Sequence, residues 1–191
     1  MATLSRVVFV TFALASAVCS ARTVPASCSR ATCVIVAIEG KPLVRPDGRQ
    51  PAFASDGIAI SNDGKTLYWQ ALTGKTLYSI ATDKLRADVS ERDRGAAVKT
   101  VATTAVADGL WMSKAGTLYI TSPTDYSIRR LVGSGTETVL TDKRLRWPDT
   151  FAEGPDGTIY VTASHIQDTQ WFTPGAPPSI RTELFSFAPV R

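Results

Sequence analysis

The chain has 191 residues, which is the length of one ordinary domain. Apolar residues make up 44% and charged residues 20%, as in a globular protein, and no charged block is long enough to indicate a disordered tail. The net charge of +4 is modest. The densest basic stretches, residues 129–131 and 143–146, have no aromatic stacking platform beside them, so we expect solvated loops and no nucleic-acid partner.

The first 21 residues have the three parts of a secretory signal. Arg6 precedes an apolar run over residues 7–18, and small residues end at Ala21. The apolar run is too short to span a bilayer, so no membrane span is expected. The sequence therefore predicts a secreted or periplasmic protein, with residues 1–21 as a signal peptide and 22–33 as an unassigned linker. Because this opening joins poorly to the rest of the chain, a mis-set or frameshifted start is the alternative.

Residues 34–191 are predicted to form one all-β domain. A short strand at 34–38 and a loop rich in Pro and Gly come first. Residues 57–103 then contain four strand-like runs, with a stretch at 83–97 that suits a short helix or an excursion loop. Four more compact runs come next, over 109–141.

The last part of the chain has only three strand-like runs, over residues 150–188. A long excursion at 165–181 precedes the third run. In many propellers the last strand position is filled from the other end of the chain, so we expect a segment near the N-terminus to fill the missing fourth position.

These three groups of strands are copies of one unit. Each copy starts at an aspartate and has a turn glycine eight residues later, followed by a Thr and a Tyr two residues apart. The copies begin at Asp56, Asp108 and Asp149, which are 52 and 41 residues apart. A period of about 40–50 residues built from four short antiparallel strands is typical of propeller blades.

Three blades are too few to close a ring, because propellers have typically about four to eight. An open half-ring would expose two apolar blade faces, which favours association. We expect either a fragment of a longer chain, the favoured interpretation, or self-association of two copies through the open blade faces.

Residues 54–82, 107–121 and 146–168 resemble the later blades of bacterial members of the major royal jelly protein/Yellow family. The resemblance runs from about residue 34 to residue 189 and implies a six-bladed β-propeller of which about three four-stranded blades are present. The same fold includes the sugar-lactone hydrolases of the gluconolactonase/senescence marker family, which use one divalent cation held by a Glu, an Asn and an Asp. The Glu-bearing early segment has no visible counterpart here, so the ligand set of that family is incomplete in this sequence.

The repeated aspartates are the strongest candidate site. Asp56, Asp108 and Asp149 each come before the innermost strand of a blade, so they are expected to face one end of the central channel. Converging carboxylates could bind Ca²⁺ or another divalent cation, or one of them could act as a general base. The alternative is that each accepts backbone hydrogen bonds in a turn. Asp149 is the best functional candidate, because Thr150 follows it instead of Gly.

Four further residues are candidates for ligand binding. His165, the only histidine, lies where a strand opens into the long excursion, although an ordinary loop histidine is the alternative. Trp147, Trp171 and Phe172 lie on loops, where propellers build binding surfaces for planar ligands such as aromatic amines or sugars. They could instead fill gaps between blades. No Gly-x-Ser-x-Gly elbow and no His/Cys zinc spacing occurs in the sequence.

These observations lead to two hypotheses about function. The first is a small-ligand-binding propeller of the royal jelly/Yellow type without a reaction. The second is a metal-dependent lactone hydrolase, in which a bound cation polarises the ring carbonyl. An inactive fragment is a third, plainer alternative.

Overall fold

The computed structural model describes residues 5–7, 34–51, 53–86, 88–177 and 181–189. They form three four-stranded antiparallel sheets and one two-stranded hairpin. The all-β, blade-repeat architecture expected from the sequence is confirmed. No helix among these residues is long and apolar enough to cross a membrane.

The first blade follows the strand order of the chain. Its strands are β4 (Ser55–Ile60), β5 (Thr66–Ala71), β6 (Thr76–Ala81) and β7 (Lys99–Thr103). The turn between β4 and β5 uses Gly64 at φ +70°, a conformation that glycine adopts without steric cost. The expected excursion before β7 is confirmed as a 3₁₀ turn (Thr82–Leu85) and a short helix α1 (Glu91–Ala96).

The second and third blades repeat this pattern. The second consists of β8 (Leu110–Met112), β9 (Leu118–Ser122), β10 (Ser127–Val132) and β11 (Gly135–Thr141). The third contains β12 (Pro148–Glu153), β13 (Ile159–Ala163) and β14 (Glu183–Phe187), with a 3₁₀ turn (Ile166–Asp168) at the start of its excursion.

The outer strand of the third blade comes from the beginning of the chain. Strand β1 (Ser5–Val7) pairs antiparallel with β14, so the expected N-terminal strand is confirmed. It lies inside the predicted signal peptide, and a chain cleaved after Ala21 would lack it. The remainder of that signal and the linker at 22–33 lie outside the described residues, and export stays a prediction.

The segment before the first blade forms a small hairpin of β2 (Ala37–Ile38) and β3 (Lys41–Pro42). Only two residues of the strand predicted at 34–38 are in strand conformation. Val36 and Leu43 are buried in the same cluster as Leu72, Val106 and Tyr126, which belong to loops of the first two blades. The hairpin is therefore fixed over one end of the blades.

Two apolar layers hold the blades together. One lies between the first and second blades and contains Leu77, Leu110 and Ile120. The other lies between the second and third blades, where Tyr119 contacts Phe151 and Phe187. Ile58 and Ile60, on the other side of β4, are 60% and 50% exposed.

Candidate ligand site at the carboxylate end of the blades

The three repeated aspartates lie at the same end of the blade array, which we call the carboxylate end. Asp56 and Asp149 are each the second residue of an inner strand, β4 and β12, and Asp108 comes just before β8. The register with the neighbouring strand shifts at Asp56 and again at Asp149. Such β-bulges re-aim side chains and are common beside functional sites.

A glycine after the aspartate lets neighbouring inner strands approach closely. A Cβ atom on Gly57 would lie 2.5 Å from the carbonyl oxygen of Asp108, and one on Gly109 would lie 1.6 Å from that of Asp149. Thr150 takes the equivalent position in the third blade and is exposed, because no further blade packs on it among the described residues. The difference that singled out Asp149 in the sequence therefore has a packing explanation.

In two blades a threonine hydroxyl on the second strand accepts a hydrogen bond from the amide that follows the aspartate. The Gly109 amide donates a hydrogen bond to Thr121 Oγ1 at 2.8 Å, and the Thr150 amide donates to Thr162 Oγ1 at 3.1 Å. Each of these threonines lies two residues after the repeated tyrosine of its blade, and Gln70 is the equivalent in the first blade. The sequence reasoning missed them, although aligning the repeats one strand further would have found them.

The three carboxylates influence one another across the blades. Burial raises the pKa of Asp108 well above its usual range, and the charges of Asp149 and Asp56 raise it further. Burial also raises the pKa of Asp149. The pKa of Asp56 is raised by partial desolvation and by the charge of Asp149, although Asp56 stays in contact with solvent at the open side of the first blade. Carboxylates from the first and third blades therefore share one electrostatic site.

No basic side chain compensates this site within the described part of the chain. The salt bridges found there involve other acids, and none includes Asp56, Asp108 or Asp149. In the same residues no group of three Asp, Glu, His or Cys side chains is arranged to hold a metal ion. The predicted divalent-cation site therefore stays a prediction.

Trp147 is a support for the carboxylate site. It is fully buried, and its indole Nε1 donates a hydrogen bond to Oδ2 of Asp108. Its backbone has φ +58°, an unusual conformation for a large side chain. Since solvent does not reach this side chain, its contacts fit the alternative role of filling a gap between blades.

His165 lies in a separate network of paired charges at the same end of the third blade. Its Nε2 is 3.2 Å from Glu183 Oε2, and its Nδ1 is 3.4 Å from Asp168 Oδ2. Arg146 donates two hydrogen bonds to Asp168, at 2.7 and 2.6 Å, and holds the pKa of that carboxyl below its usual value. These contacts fix His165 in place and fit a structural role.

The two remaining aromatic candidates differ in exposure. Phe172 is partly buried and packs against the main core, whereas Trp171 is 63% exposed. Among the candidates, the structure thus brings Asp56, Asp108, Asp149 and Trp147 together. It places His165 in the charge network and Trp171 on the surface.

The basic stretches also form ion pairs. Arg130 pairs with Glu137 at 3.0 Å within the second blade, and Arg129 pairs with Asp125. Arg144 pairs with Asp142 at 2.7 Å. Much of the basic charge is therefore balanced locally by neighbouring acids.

Comparison with known proteins places the chain in a family. A profile of the major royal jelly protein family matches residues 30–146, more than half of the sequence. The chain belongs to the major royal jelly protein family. A search of curated protein sequences found no significant match.

Solved structures similar to this major royal jelly protein include two enzymes. One is a gluconolactonase from Xanthomonas campestris, 18% identical, with a TM-score of 0.51; the match covers 72% of this chain and 44% of that one. The other is a luciferin-regenerating enzyme, 16% identical, with a TM-score of 0.52; the match covers 75% of this chain and 49% of that one. The chain therefore spans about half the length of these structures. At this identity the likeness shows the propeller fold alone.

Proposed function

We propose that this protein is a small-ligand-binding propeller of the royal jelly/Yellow type whose ligand carries a positive charge and binds at the carboxylate end. The observation that carries the proposal is the crowding of Asp56, Asp108 and Asp149 with raised pKa values and no ion-paired basic side chain. Titratable side chains whose pKa values are perturbed by burial and by neighbouring charges cluster at functional sites. A cationic ligand would supply the missing compensation.

A protonated aromatic amine is the first probe for this site. We expect tyramine at pH 7 to raise the Tm of the full chain in a dose-dependent way, because a ligand that binds only the folded state stabilises it. The neutral analogue 4-ethylphenol, which lacks the ammonium group, should give a much smaller shift. Equal shifts from the two compounds would contradict the proposal.

Substitution of one carboxylate locates the site. Asp149→Asn should reduce the tyramine-induced shift, because it removes an ionisable oxygen from the cluster while keeping the shape of the side chain. Asp88→Asn is the matched control, since Asp88 is exposed on the excursion at the opposite end of the first blade. An unchanged shift in Asp149→Asn would place the ligand elsewhere.

A metal-dependent lactone hydrolase is the second candidate, favoured by the same three carboxylates. Carboxylate oxygens are the ligands that Ca²⁺ prefers, and a bound cation could polarise a lactone carbonyl. This function predicts hydrolysis of gluconolactone that is lost with a chelator and restored by Ca²⁺. Ligand-dependent stabilisation without turnover, in the presence of Ca²⁺, would instead favour the binding protein.

We also propose that the complete ring has six blades, of which this chain supplies three, and that the protein is exported. The support for the ring is the coverage of about half of each solved relative and the exposure of Ile58 and Ile60 on the open side of β4. Self-association through that open face is the alternative source of the other blades. Light scattering on the purified chain distinguishes a dimer from a monomer, and the N-terminal sequence of the protein recovered from a periplasmic extract tests export.

A further inference from the structure

A groove between two loops is separate from the carboxylate cluster. It has a volume of about 500 Å³ and is lined by Arg45, Pro46, Asp47, Gln170 and Trp171. Trp171 is 63% exposed, more than any other large apolar side chain among the described residues. A tryptophan held open to water beside polar side chains offers a flat surface on which a ring can stack.

The loop that carries Trp171 is held in place by its own contacts. The amides of Phe172 and Thr173 donate to the carbonyl oxygen of Thr169 at 3.0 and 2.8 Å. Thr173 Oγ1 donates to the Gln167 carbonyl at 3.0 Å. Phe172 packs on the main core and anchors the loop. Because the indole is presented on a fixed loop, a ligand would order few further groups on binding.

The opposite wall of the groove is a tight turn that is also preorganised. The amide of Arg45 donates to the carbonyl of Arg49, and the amide of Gly48 donates to the carbonyl of Arg45, both at 2.8 Å. Arg49 Nε donates to Asp47 Oδ2 at 2.6 Å. Both walls therefore keep their shape without a ligand.

The charges of the groove favour an anion. Asp47 is already paired with Arg49, which lowers the pKa of the Asp47 carboxyl, so this acid is poorly available to a ligand ammonium group. Arg45 forms no salt bridge within the described residues, and its exposed side chain lines the groove, where its charge also helps to lower the pKa of Asp47. A guanidinium binds a carboxylate through two parallel hydrogen bonds.

We infer that this groove binds a saccharide unit that carries a carboxylate, such as a uronic acid. One face of a pyranose ring is apolar and would lie on Trp171, while Arg45 would pair with the carboxylate. Gln170 Nε2 donates to the Ala176 carbonyl at 2.9 Å, so the Oε1 atom of Gln170 would accept from a hydroxyl. Apart from Trp171 and Pro46 the walls are polar, which suits a ring whose other face stays in water. An aromatic acid would instead favour an enclosed apolar pocket.

Tryptophan fluorescence of the full chain at pH 7 tests this inference. Titration with trigalacturonate should change the emission, because Trp171 is the most exposed indole, whereas Trp69 and Trp147 are buried and Trp111 is only partly exposed. Trp171→Ala should weaken trigalacturonate binding, measured by calorimetry, by roughly tenfold or more, and Trp171→Phe should retain most of it. The Tm of each variant should stay unchanged, since the side chain is largely outside the core.

A second pair of variants tests the proposed contact between Arg45 and the carboxylate of the saccharide. Arg45→Gln should weaken binding of trigalacturonate roughly tenfold and leave it no better than neutral maltotriose. Arg92→Gln, which removes an equal charge from exposed helix α1, is the control and should bind trigalacturonate as the unsubstituted chain does. Equal binding of maltotriose and trigalacturonate to the unsubstituted chain, tighter binding of benzoate than of trigalacturonate, or no loss in Trp171→Ala would each overturn the inference.

Discussion

Two groups of acids at the same end of the third blade behave in opposite ways. Asp149, with Asp108 from the neighbouring blade, lies among other carboxylates, and burial and repulsion raise the pKa of Asp108. Asp168, on the excursion of the same blade, accepts two hydrogen bonds from Arg146 and lies beside His165, so its pKa is lowered.

The two groups differ in whether a basic side chain compensates their charge. This difference distinguishes acids that stabilise the fold from acids that form a candidate binding site. The acid with basic neighbours stabilises the fold in its ionised form, whereas acids without such neighbours cost free energy whenever they ionise. Because perturbed pKa values cluster at functional sites, the carboxylate cluster, and not the histidine network, is the candidate site. Substitutions that change one region and not the other test this distinction.

The largest effect is expected from closing the space between inner strands. In Gly109→Ala the new Cβ would meet the backbone carbonyl of Asp149 at 1.6 Å, and backbone cannot yield as a side chain can. The second and third blades would have to separate, so we expect a loss of more than about 3 kcal/mol in the free energy of unfolding. Urea denaturation monitored by circular dichroism measures it.

Gly95→Ala is the matched control for that substitution. Gly95 lies in helix α1 with no heavy atom within 4 Å of the added Cβ. Alanine favours the helix, so stability should rise by roughly 0.5 kcal/mol. A loss in Gly109→Ala no larger than that of an ordinary surface substitution would mean that the inner strands are not in contact.

The next effect concerns the support of Asp108. Trp147→Phe removes the indole hydrogen bond to that carboxylate and leaves a gap in a fully buried position. We expect a loss of about 2 kcal/mol, since both a cavity and an unpaired acceptor result. Trp171→Phe makes the same change at an exposed site and should stay within about 0.5 kcal/mol. Equal losses in calorimetric unfolding would show that the buried hydrogen bond contributes little.

Neutralising the buried acid should stabilise the protein at neutral pH. A carboxyl whose pKa is raised by folding favours the folded state below its unfolded pKa of about 4, and this contribution is lost as the pH rises through the folded value. Asp108→Asn removes that loss and should raise the free energy of unfolding at pH 7 by about 1 kcal/mol, with no gain at pH 3.5. Urea titrations between pH 3.5 and 8 measure the difference, and destabilisation at pH 7 would refute the interpretation of the cluster.

The sequence predicted the blades well because each strand alternates and each turn carries its own glycine, as at Gly64 and Gly116. The repeat also predicted that the aspartates lie at one end of the blade array, because equivalent residues of different blades lie at the same level along the central axis. It could not show that Trp147 is buried against Asp108, because that contact joins different blades. Nor could it find the pairing of Arg146 with Asp168, which depends on how the excursion folds back over 22 residues.

The smallest effect is expected at the paired acid. Asp168→Asn removes one partner of a partly exposed ion pair, so stability at pH 7 should fall by about 0.5–1 kcal/mol, opposite in sign to Asp108→Asn.

Because folding lowers the pKa of Asp168, its contribution is present above the unfolded pKa and disappears as the pH falls through the folded value. The difference in stability between the variant and the unsubstituted chain should therefore shrink as the pH is lowered. Asp142→Asn, whose partner Arg144 is only two residues away, should cost less, because that pair does not tie the excursion to the blade. Stabilisation by Asp168→Asn at pH 7 would show that the two groups of acids do not differ as charge compensation requires.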